Sequence, residues 1–178
     1  MSTDLGKGLR MKFPTITALF VALLAPTCIQ AAPSTDRENL IGSWDLVSLE
    51  NHGANGKTFY PFGEHPIGRI TYTADGKMMA QIMRAERKPF ATGDLYSGTA
   101  DEKAAAYDSY VAYYGDFSVD PALHTVTHTV TGSLFPNWTG GQQMRFYELK
   151  GDELVLTTKP FHAQDTEVTA HVVWHRVK

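Results

Sequence analysis

The chain has 178 residues, 43% of them hydrophobic and 20% charged, with a formal net charge of −3, which describes a folded domain and excludes a disordered or collagen-like chain. Lys and Arg are scattered, so no basic stripe exists to release counterions from nucleic acid, and no nucleic-acid partner is expected. A single Cys excludes a disulfide framework and a thiolate zinc site, so the fold has to stand on its apolar core.

Residues 1–31 read as a secretory signal peptide: Lys7, Arg10 and Lys12 precede an apolar run over 16–25, and Pro26 and small residues lead to Ala31. The run is well short of the roughly 20 apolar residues that a membrane-spanning helix needs, and none later is longer, so no integral membrane segment is expected. Cleavage after Ala31 or Ala32 removes Cys28 and delivers the mature chain to the periplasm or the exterior; acylation of Cys28 in a lipoprotein is the alternative. Met11-Lys12 opens a more compact signal by itself, which leaves the start codon at Met1 or Met11. Residues 32–39 are then a short tail and residues 40–178 one domain, with no linker or repeat.

Beyond Leu40 the apolar residues alternate with polar ones and turn signals interrupt them at short intervals, the pattern of an antiparallel meander. Eight strands are predicted, at 42–50, 67–73, 77–84, 116–120, 124–132, 142–150, 153–159 and 168–177. Asp75-Gly76, Asp120-Pro121 and Gly151-Asp152 supply tight connections, the first and last because Gly tolerates positive φ. Between the third and fourth strands, Thr99 and Glu102 form a capping box, and Tyr107, Tyr110, Val111 and Tyr114 recur at helical spacing, which predicts one amphipathic helix over 99–114. Such a helix would plug the sheet or act as a lid. Eight strands in an open sheet would expose two edges, so closure into an up-and-down barrel is expected, either filled by its own side chains or holding one small ligand.

Five segments carry more specific information. Gly42-Ser43-Trp44 opens the first strand and Trp174-His175-Arg176 ends the last. Between them stand residues 60–76, from Tyr60-Pro61-Phe62-Gly63-Glu64-His65 to Asp75-Gly76, and residues 127–138 with Phe135-Pro136-Asn137-Trp138, joined by Gln143-Met144-Arg145. Together they resemble the bacterial and fungal lipocalin-like domain family over nearly all of residues 40–176. The resemblance implies a small calycin-type barrel in which the Arg176 guanidinium stacks on Trp44 to close one end. It implies no agreed catalytic residue or ligand.

Several side chains are candidates for chemistry. His124/His128 and His171/His175 are four residues apart, but four strand residues span about 13 Å, so neither pair chelates one ion, and no metal site is expected. His128 alternates with Val126 and Val130, which suits a hydrogen-bonded histidine on an apolar face or a ligand contact. Gln143, Arg145 and Tyr147 share one strand face, with Met144 and Phe146 on the other. Facing inward, they would hold a carboxylate or enolate; facing outward, they are a solvated surface, and one strand does not fix the parity. Tyr60, Phe62 and Trp138 make two connections unusually aromatic for loops, as either a closed lid or a pocket rim. Glu64 and His65 beside them form a weak acid–base candidate, while Met78, Met79 and Met83 suit an adaptable interior wall.

No Gly-rich phosphate loop, nucleophile elbow or cofactor motif is present, and no cofactor is expected. Asn137-Trp138-Thr139 is a formal glycosylation acceptor of consequence only in a eukaryotic host. The leading functional expectation is an exported barrel that encloses a small hydrophobic or amphipathic molecule. The alternatives are a barrel enzyme catalysing isomerisation, cyclisation or hydrolysis with His128, Arg145, Tyr147 and His65 as first candidates, and a filled barrel with a structural or interaction role. The oligomeric state is not legible.

Overall fold

A computed structural model describes residues 35–163 and 165–178; the expected signal peptide, its expected cleavage site and Cys28 lie outside the described residues. The strands are β1 (Gly42–Gly53), β2 (Thr58–Phe59), β3 (Ile67–Tyr72), β4 (Lys77–Met83), β5 (Tyr110–Asp120), β6 (Thr125–Ser133), β7 (Gln142–Lys150), β8 (Glu153–Thr158), β9 (Phe161–Ala163) and β10 (Thr166–Arg176). Every neighbouring pair is antiparallel, and β1 pairs with β10 as well as with β3, so β1, β3 to β8 and β10 close into an eight-stranded barrel. The short β2 and β9 only extend the sheet beside β1 and β10. Closure leaves none of the eight main strands with a free edge. Among the described residues, no helix is long and apolar enough to cross a membrane.

Antiparallel succession sends alternate connections to opposite ends. Tight turns at 73–76, 121–124 and 151–152 gather at one end; the long connections, including 84–109 and 134–141, gather at the other. Gly76 and Gly151 take φ of 86° and 60° in two of the tight turns, the conformation their position requires.

The tight-turn end is sealed. The stretch read as a tail carries a one-turn helix, α1 (Asp36–Leu40), started by a Thr35–Glu38 capping box. Five helical residues do not persist alone in water, so tertiary contacts must hold them. Leu40 is fully buried and its carbonyl accepts the Trp44 indole N–H at 2.9 Å. The Arg176 guanidinium lies 4.0 Å from the Trp44 ring centroid and donates to the carbonyls of Ile41 and Asn39. Arg37 covers Phe117 and donates to the Ala74 carbonyl, and the Tyr147 hydroxyl donates to Asp36. One stacked, forked guanidinium does here what a lysine could not, because its planar face and separate N–H groups serve ring and carbonyls together.

The segment before the fourth of the eight main strands departs from the sequence expectation. The helix α2 (Ala100–Asp108) starts at the expected Thr99–Glu102 capping box but ends by Ser109, and residues 110–114 are strand, the first half of β5. Val111 and Tyr113 then face the interior opposite Ile82 and Ala80 while Tyr110 and Tyr114 face out, an alternation that pairing with β4 imposes over the helical spacing of Tyr107, Tyr110, Val111 and Tyr114. Without its last turn and a half, α2 buries no residue: it neither plugs the sheet nor presents an apolar face to it. The methionine wall is also corrected. Met78 faces inward at 1% exposure, whereas Met79 is 48% exposed on the outer surface and Met83 shares its side of β4, as alternation demands.

Candidate functional site

Register carries the parity of one strand to the next. Val126, at 0% exposure, pairs with Arg145, and His128 pairs with Gln143, so Gln143, Arg145 and Tyr147 all face inward, and Phe146, 42% exposed, faces out. The inward side chains differ with height. Trp44, Tyr72, Met78, Val126, His128 and Leu154 are completely or almost completely buried. Toward the long-loop end, Leu49, Asn51, Ile82, Ala170 and Val172 retain 8% exposure, and Leu46, Val111, Tyr113, Gln143 and Arg145 are only half-buried although they point inward. Val130, Leu156 and Val168 are as buried as the α1 end, so solvent reaches the interior wall at the half-buried positions rather than along the whole mouth.

A polar layer lies between the two halves. The His128 Nε2 is 2.8 Å from the Tyr72 hydroxyl and its Nδ1 is 2.9 Å from the Tyr113 hydroxyl. Burial, with Arg145 as a second influence, lowers the His128 pKa from 6.5 to about 3, so the imidazole is neutral throughout the physiological range. Burial also raises both tyrosines, and Arg145 partly opposes it. The guanidinium thus lies within electrostatic reach of all three rings. It donates to the Met144 carbonyl at 2.9 Å and to the Gln143 Oε1 at 3.3 Å. Among the described residues no carboxylate is ion-paired with it.

A neutral imidazole has one donor and one acceptor, which gives this chain a direction. Tyr72 is 1% exposed, and His128 is its hydrogen-bond partner. If Tyr113 donated to Nδ1, Nε2–H would donate to Tyr72 and leave the Tyr72 proton stranded in the core, at a cost of about 1–3 kcal/mol. The favoured arrangement is Tyr72 O–H to Nε2 and Nδ1–H to Tyr113, whose own proton is then not used by the histidine. The Trp174 indole N–H is a second unspent donor: it is buried inside the barrel and finds no acceptor among the described residues.

The remaining candidates divide by height. Tyr147 sits on the Arg145 face, but its hydroxyl is committed to Asp36 at the sealed end, and burial followed by that carboxylate raises its pKa. Trp138 stands at the mouth with its edge toward Tyr113, centroids 5.5 Å apart, and Phe62 packs on the core from the β1–β3 connection. Tyr60 and His65 are exposed; His65 and Glu64 line a shallow recess of about 210 Å³ with Phe62 and Arg84, outside the barrel. His124 lies in the turn before β6 and His171 stacks on His52 on the outer wall, so neither spaced histidine pair converges. The outer wall also carries a groove of about 800 Å³ over β4 to β6, lined by Met79, Tyr114 and Leu134.

Tyr72 and Tyr113 are the site residues that sequence reading missed. Tyr72 was within reach, since the Asp75-Gly76 hairpin sets it opposite Met78 and alternation sets it beside Ile70. Tyr113 was hidden inside the expected helix.

The comparisons with known proteins agree with this architecture. A protein of Aspergillus oryzae (strain ATCC 42149 / RIB 40) named 4'-hydroxy-3'-methoxypropiophenone carrier protein is 35% identical over 107 residues, which cover 56% of this chain and 96% of that protein. No solved structure is significantly similar. A lipocalin-like domain profile matches residues 41–177, from just before β1 to just after β10, and with the eight-stranded wall closed between those limits the chain belongs to the lipocalin-like domain family.

Proposed function

We propose that the protein binds and carries a small, partly apolar molecule in the mouth half of its barrel. The observation that carries this reading is a patch of inward-facing wall that is not closed over: Val111, Tyr113, Gln143 and Arg145 point into the barrel yet are only half-buried, and the Arg145 guanidinium among them has no carboxylate partner among the described residues. A pocket of apolar walls with a few converging polar groups is the usual form of a small-molecule site. The relative named as a carrier of an aryl ketone supports a ligand of similar size and character. The leader adds the proposal that binding takes place after export.

Titrating 4'-hydroxy-3'-methoxypropiophenone into the purified mature chain while following tryptophan fluorescence tests this directly. One saturable site with a Kd on the order of micromolar is expected. A linear, unsaturated quench up to millimolar probe would reject the carrier reading.

A further inference from the structure

Around Arg145 the inward-facing hydrogen-bond capacity is weighted toward donors. The Arg145 guanidinium, the Gln143 amide N–H groups and the Tyr113 proton that His128 does not use are all donors. The Gln143 Oε1, the side-chain acceptor beside them, is already taken by Arg145. Arg145 is a cation on an inward strand face, paired in register with fully buried Val126 and with Thr158, neither of which is charged. A half-buried cation with only neutral acceptors is electrostatically unsatisfied, and an oxyanion placed against it would gain from the reduced dielectric.

We propose that the barrel takes its ligand as an oxyanion, the ionised form of an acidic phenol or enol, with the charged oxygen held between the Arg145 guanidinium and the Tyr113 hydroxyl. The inference rests on the carrier reading and adds the charge state that the carrier selects. Tyr72 and His128 act as positioning residues: by accepting at Nε2 and donating from Nδ1, the imidazole leaves the Tyr113 proton to the ligand. The groups that face Arg145 are Tyr72 from β3, Tyr113 from β5 and His128 from β6, with Tyr147 further along its own strand tied to Asp36. None of them changes charge between pH 5 and 8, since His128 stays neutral down to about 3 and burial raises all three tyrosines. Within that window the ligand's own hydroxyl is the group that titrates in the site.

The test uses 4'-hydroxy-3'-methoxypropiophenone, whose para-acyl group makes its phenol more acidic than tyrosine and whose ultraviolet band moves to longer wavelength on ionisation. At a pH about one unit below its free titration midpoint, protein in excess should convert the band to that of the phenolate. The 4'-O-methyl ether, which cannot ionise, should bind at least about tenfold more weakly. Arg145→Gln should restore the neutral band and weaken binding about tenfold or more; Arg145→Lys, which keeps the charge, should retain the phenolate band, and melting curves identify a variant that has failed to fold. If phenol and ether bind the wild-type chain equally and no band shift occurs, the oxyanion inference is overturned while the carrier reading survives. If neither binds saturably, both fall.

Discussion

His128 shows how a single side chain links the core to the site. With its folded pKa near 3 against 6.5 for the free side chain, the unfolded chain takes up a proton that the folded protein refuses. Its contribution is therefore complete above about pH 6.5 and is lost as pH falls, by up to roughly 1.4 kcal/mol per unit until the folded pKa is reached. Denaturant unfolding of wild type and His128→Gln at intervals from pH 7.5 to 4 should give curves that converge toward acid, because glutamine keeps a donor and an acceptor but has no proton to gain. A constant gap across the series would mean that the buried imidazole does not titrate as described. At neutral pH the variant should be less stable by about 1–3 kcal/mol, the usual consequence of disturbing two buried hydrogen bonds.

At the scale of elements, the sealed end depends on α1, and α1 depends on Arg176. Arg176→Lys keeps the charge but loses the stack on Trp44 and at least one of the two carbonyl bonds. A loss of about 2 kcal/mol is expected in denaturant unfolding, together with faster hydrogen exchange at the amides of Asn39 and Ile41; unchanged exchange there would remove Arg176 from this role. The elements themselves were legible wherever one period dominated. Strands β3, β4, β7 and β8 follow alternation between recognisable turns, and α2 begins at its capping box. The failure at residues 110–114 has a physical cause: Tyr110, Val111, Tyr113 and Tyr114 put large apolar side chains on both strand faces, which hides the alternation, and only pairing with β4 shows that Val111 and Tyr113 are the inward pair. The site suffered from the same locality. Arg145 was visible, but its direction came from Val126 across the ladder, and the His128 partners lie 56 and 15 residues away in sequence.

For the whole molecule, the asymmetry between barrel ends is the central claim: a dry end closed by α1 and Arg176, and a long-loop end where Val111, Tyr113, Gln143 and Arg145 face inward yet stay half-buried. The three tryptophans sample it at different places, with Trp44 under Arg176, Trp174 buried inside with an unspent N–H, and Trp138 at the mouth. Their indole N–H resonances can be followed individually in a ¹⁵N-labelled sample titrated with 4'-hydroxy-3'-methoxypropiophenone. The account predicts saturable shifts at Trp138 with Trp44 unmoved; an unmoved Trp138, with perturbation confined to the outer wall around Met79 and Tyr114, would contradict it.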